Sequence, residues 1–139
     1  MLPGTANALP DLTYPGFQTL LAQLRGTPVV VNGWGSWCGA CRVEGPLLAA
    51  AARRYGRRIQ FLGIDTRDSR GDGQAWVARM RWTYPSLFDP SPNGQVENQL
   101  GYHCCPVTLF YDREGQVVDQ ISGPAGASAL AAGIRKILP

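Results

Sequence analysis

At 139 residues the chain is the size of one domain and can bury a continuous apolar core without disulfide staples, so its four cysteines need a chemical explanation. Apolar residues at 45% and charged residues at 17% exclude a disordered chain, and a net charge of only +3 argues against a nucleic-acid partner. No apolar run approaches the roughly 18–20 residues that span a bilayer. Residues 1–8 read as a loose leader, the remnant expected where an export signal or membrane anchor has been removed. Residues 9–139 read as a single domain.

Phe17, Leu20, Leu21 and Leu24 fall at the spacing of one helical face, and Gly26 stops that helix. Pro28 to Trp34 is a β-branched run without polar alternation, the pattern of a central strand buried on both faces. From Gly39 to about Gly56 the alanine- and leucine-rich stretch predicts a long helix that Pro46 kinks without ending. Arg53, Arg54, Arg57 and Arg58 lie on it and read as a solvated face. Ile59 to Asp65 predicts a second buried strand, and strand, helix and strand make a right-handed parallel βαβ unit. Arg67 to Gly73 reads as a turn, Gln74 to Arg81 as a helix with Trp76, Val77 and Met80 inward, Tyr84 to Phe88 as a short strand, and Asp89 to Gly94 as a loop. Val107 to Tyr111 and Gln116 to Ile121 are strands joined by four residues that include Gly115, an antiparallel hairpin. Ser128 to Leu138 closes the chain as a helix packing through Leu130, Ile134, Ile137 and Leu138. The sum is an α/β sandwich of three layers, a mixed central sheet flanked by helices.

This arrangement puts Cys38-Gly39-Ala40-Cys41 between a central strand and the helix after it. The first helical turn offers unpaired N–H groups and the positive end of the macrodipole, so a thiolate at Cys38 is favoured and its pKa falls from the free value of about 8.5. Cys41 lies one turn further along the same side, within disulfide reach and less exposed. Cys38 is therefore the expected attacking thiol and Cys41 the resolving one. A Cys-x-x-Cys pair is also half of a zinc site, but the strand-to-helix context favours redox chemistry.

The segment from Val29 to Pro46, with Asn32, Trp37, Cys38, Cys41, Glu44 and Pro46, resembles the active-site region of the thioredoxin superfamily, in particular its extracytoplasmic TlpA/ResA-like branch. Cys105-Pro106 and the hairpin after it resemble the cis-proline strand of the same family. The resemblance implies a thioredoxin-like fold, disulfide exchange with protein substrates and an upstream redox donor or acceptor, no cofactor, no metal and a monomer. It implies an extracytoplasmic location, periplasmic, cell-envelope or secreted. It also implies that Pro106 is cis, packs against the dithiol and receives an extended substrate. Exposed Trp37 would add an apolar docking surface, or else pack into the core. Glu44, one turn beyond Cys41, is a candidate proton carrier with a pKa raised by partial burial, because Asn32 stands where cytoplasmic thioredoxins carry a buried Asp. The alternative for Glu44 is a carboxylate favoured by the helix dipole.

Ala40 replaces a proline common between the cysteines, and Gly33 an aromatic residue, leaving a small space or admitting a close neighbour. The sharpest departure is His103-Cys104-Cys105. Its cysteines read as buried thiols, as a vicinal disulfide, as a relay exchanging with Cys38, or as part of a metal or iron–sulfur site with Cys38, Cys41, Cys105 and His103. The expected activity is that of a thiol–disulfide oxidoreductase, a reductase first, with an oxidase of the same fold or the metal-binding module as alternatives.

Overall fold

The computed structural model describes residues 2–139; Met1, the first residue of the segment read as a leader, lies outside them. Five strands form one sheet in the order β3-β2-β1-β4-β5. They are β1 (Val29–Trp34), β2 (Gln60–Asp65), β3 (Ser86–Phe88), β4 (Val107–Tyr111) and β5 (Val117–Ser122). β1 pairs parallel with β2 and β2 with β3, whereas β4 runs antiparallel to both β1 and β5. The mixed sheet and the antiparallel hairpin agree with the sequence reading.

All six residues of β1 are buried. The period of two along a strand divides them between two cores. Val30 and Trp34 face one core, completed by Leu48 and Ala52 of α2 (Gly39–Tyr55), Trp76 of α3 (Arg70–Met80) and Ile134 of α5 (Ala127–Ile137). Val29 and Val31 face the other, with Phe17 of α1 (Tyr14–Gln23) and Val96 of α4 (Gln95–Leu100). Helices on both faces leave no room for polar alternation, which is why the strand reads as an uninterrupted apolar run. At one end of the first core Trp34 stacks on Trp76 at 4.6 Å, and Trp82 meets both edge-on.

Several boundaries differ from the sequence reading. α1 begins at Tyr14, because Thr13 caps it by accepting from Gly16 N at 3.1 Å and Pro15 fits the first turn. α3 begins at Arg70 and not Gln74. Ser69 caps it, and the glycines that suggested a turn belong to the helix, with Gly73 pressed against Asp65 where a Cβ would collide. α4 carries no helical periodicity long enough to read. Its first turn is instead held by Asp89, whose Oδ2 accepts from Val96 N at 2.9 Å. α2 runs through Pro46 to Tyr55. The backbone at Asp11 and Leu12 bridges to Phe88 of β3, Leu12 N donating to Phe88 O at 2.7 Å, and Leu9 is fully buried.

Candidate active site

The C-terminal end of β1 and the N-terminal approach to β4 leave the sheet at the same edge, since Gly33 is paired with Val107. Residues 35–38 therefore emerge beside residues 104–106. Gly33 is bare because a Cβ there would lie 2.8 Å from Val107 Cγ1 and 3.2 Å from the Tyr102 ring; its space is a close approach, not a void.

Cys38 is the N-cap of α2, with extended backbone and its Sγ 3.2 Å from Cys41 N. Cys38 and Cys41 are joined as a disulfide, their Cα atoms 5.4 Å apart. Both cysteines are buried, Cys38 at 6% exposure and Cys41 wholly, so Cys38 is the more accessible of the two. Asp68 holds the preceding turn by accepting from both the N–H and the hydroxyl of Ser36 at 2.8 Å. Trp37 is 49% exposed, its indole N–H donating to Thr66 O at 3.0 Å; its ring lies on the surface, not in the core.

Glu44 follows Cys41 on the inward face of α2 and is 1% exposed, fully buried where partial burial was expected. Asn32 Nδ2 donates to its Oε1 at 2.7 Å and Ala125 N to its Oε2 at 2.8 Å. Asn32 also reaches Val107 O at 3.1 Å, tying the carboxyl to the start of β4. Burial raises the Glu44 pKa, opposed by the Ala125 and Asn32 hydrogen bonds, which favour the carboxylate.

Pro106 is buried and follows a cis peptide bond, as does Cys105. Cys104 and Cys105 are joined as a vicinal disulfide. Among the described residues no three His, Cys, Asp or Glu side chains are grouped as metal ligands would be, and His103 is exposed.

Three residues that the sequence reading does not assign to the site complete the surroundings. Arg67 donates through Nε to Glu97 Oε1 at 3.0 Å and through Nη2 to Cys104 O at 3.0 Å, while its guanidinium stands 4.9 Å from the Trp37 ring centroid. Glu97, on α4, accepts from Cys104 N at 2.7 Å, so both polar groups of the Cys104 backbone are held. Asp65, at the end of β2, is fully buried without a hydrogen-bond partner for either oxygen. Desolvation, then the neighbouring Asp68 carboxyl and the Asp72 charge, push its pKa up to about 10.

A mixed five-stranded sheet between two helical layers, with a Cys-x-x-Cys disulfide capping the helix after the central strand and a cis-proline beside it, defines a thioredoxin-like protein. Residues 5–120 match the AhpC/TSA family, and the chain belongs to it. It is 34% identical over 138 residues to the thiol:disulfide interchange protein DsbE of Allochromatium vinosum, covering 98% of this chain and 74% of that relative. It is 30% identical over 115 residues to the DsbE of Xylella fastidiosa, covering 83% of this chain but only 57% of that relative's length. Among solved structures, a DsbF homologue from Corynebacterium diphtheriae superposes with a TM-score of 0.74 at 30% identity, covering 84% of this chain and 75% of the other.

Proposed function

We propose that the chain is a thiol–disulfide oxidoreductase that reduces disulfides of exported proteins. What carries the reading is the Cys38–Cys41 disulfide at the start of α2, with Cys38 as its N-cap and Cys41 the more deeply buried of the two. The kinship to thiol:disulfide interchange proteins supports it.

In the reduced protein the helix N-terminus favours the Cys38 thiolate. That thiolate attacks a substrate disulfide, forming a Cys38–substrate bond and releasing the other substrate sulfur as a thiolate that takes up a proton. Cys41 then loses its proton and attacks Cys38, displacing the second substrate thiol and leaving Cys38–Cys41 oxidised. Glu44 is the group placed to accept the Cys41 proton, since it lies one turn away on the same buried face. A dithiol protein upstream restores the reduced form by the same steps in reverse. Pro106 forms the wall against which an extended substrate lies, Trp37 supplies apolar contact beside Cys38, and the protein works as a monomer in an extracytoplasmic space. The resemblance of the Val29 to Pro46 segment and of the Cys105 to Gly115 segment to the thioredoxin superfamily supports these assignments.

The test is catalysed reduction of insulin disulfides, together with the Cys38–Cys41 midpoint. A midpoint near the thioredoxin value of about −270 mV supports a reductase, and one near the DsbA value of about −120 mV replaces it with an oxidase. Loss of insulin reduction in Cys38→Ser is expected; full retention would refute the assignment.

A further inference from the structure

Two cysteine pairs stand at one edge of the sheet, and the chemistry above uses only one of them. The second has two unlike sides. Cys105 packs against the apolar cluster that contains Cys38 and Cys41, whereas Cys104 packs against the other apolar cluster and borders a polar cavity of about 180 Å³ lined by Arg67, Asn93, Glu97, Asn98 and His103. The two loops are also bridged physically, because the Arg67 guanidinium touches the Trp37 ring on one side and the Cys104 carbonyl on the other. Glu97 fixes the same residue through its N–H.

We propose that Cys104–Cys105 is a second redox couple, which exchanges an electron pair with Cys38–Cys41 through a transient Cys38–Cys105 disulfide. The inference rests on the exchange activity of Cys38 and extends it to an acceptor within the same chain. The Cys38 thiolate attacks the Cys105 sulfur, the Cys104–Cys105 bond breaks, and the electron pair leaves on Cys104, which takes up a proton in the polar cavity. Cys41 loses its proton and attacks Cys38, breaking the Cys38–Cys105 bond; Cys105 leaves as a thiolate and is protonated. The first pair has been oxidised by two electrons and the second reduced by two, with two protons transferred and no outside oxidant. The reverse sequence lets a reduced second pair recharge the dithiol. Cys105 is assigned as the entry sulfur because it shares an apolar cluster with the dithiol, and Cys104 as the leaving sulfur because it borders the polar cavity.

Removing the resolving thiol should trap the intermediate. The full chain carrying Cys41→Ser is isolated without reductant, held at pH 8, quenched with acid, alkylated, digested and mapped by mass spectrometry. The expected product links Cys38 to Cys105 and leaves Cys104 alkylated. A free Cys38 with Cys104–Cys105 intact would overturn the relay, and linkage to Cys104 would overturn the choice of entry sulfur. A second measurement uses reduced thioredoxin as the protein dithiol donor, with circular dichroism confirming the fold. Reduction of Cys104–Cys105 should be at least 10-fold slower in Cys38→Ser than in the unaltered chain, and equal rates would overturn the relay. Wild-type insulin reduction without a trapped species in Cys41→Ser would sink the relay alone and leave the exchange activity standing.

Discussion

Replacing Asp65 by Asn should remove a pH-dependent load on stability. The unfolded chain releases this proton near the ordinary aspartate value of about 3.9. The folded chain holds it up to about pH 10, because the carboxyl is buried and faces the Asp68 carboxyl and the Asp72 charge. Between those values folding takes up one proton, so this residue's contribution is greatest below about pH 4 and is lost as the pH rises toward 10. The slope inside the window is about 1.4 kcal/mol per pH unit, which makes about 2.7 kcal/mol between pH 5 and pH 7. Asn does not titrate, and the cost of burying its amide is the same at both pH values. Urea unfolding of both proteins at pH 5, 6 and 7, with the disulfides intact, should show the variant gaining on the wild type by that amount. Parallel curves with a constant difference would mean that Asp65 is already ionised in the fold, and would refute the burial argument.

Glu44→Gln keeps the shape of the buried side chain and removes its proton chemistry. The resolving step, followed by stopped-flow release of substrate thiol, should slow by about 10²-fold and change its pH profile between pH 6 and 9. Unchanged kinetics across that range would leave Glu44 with a structural role only. Arg67→Ala leaves the buried Glu97 carboxylate without its cation, but the arginine side chain is 39% exposed and water screens the pair. The expected loss is therefore about 1–2 kcal/mol in urea unfolding, with Arg67→Lys recovering only part of it. Gly33→Ala should cost about 1–3 kcal/mol, since the added methyl has to displace Val107 and Tyr102; a neutral change would show that β4 moves aside freely.

The parts of the site that the sequence reveals are local ones. Val29 to Trp34 and the alanine-rich helix are continuous runs, so their burial and propensity can be read directly, and the dithiol's position follows from the strand-to-helix junction. Glu44 is marked by the family resemblance and by its spacing from Cys41. Its complete burial is not, because the groups enclosing it, Asn32 and Ala125, lie 12 and 81 residues away. Arg67 and Glu97 were missed for the same reason: each looks like an ordinary surface charge until the fold brings them together across 30 residues, onto a Cys104 backbone 37 residues from Arg67. Asp65 ends an apolar run and reads as the polar end of a strand. Only Gly73, packed from α3, and the neighbouring Asp68 make it a buried acid. α4 is too short to show a periodicity, and side chains ahead of it decide it, Ser91 accepting from Gln95 N and Asp89 from Val96 N.

The most direct test of the account is a redox titration in glutathione buffers, with each cysteine's state read by differential alkylation and mass spectrometry. The account predicts that Cys38 and Cys41 titrate together as one two-electron couple, and that Cys38→Ser leaves Cys41 unable to form it. A titration in which Cys38 and Cys41 never pair with each other would contradict it.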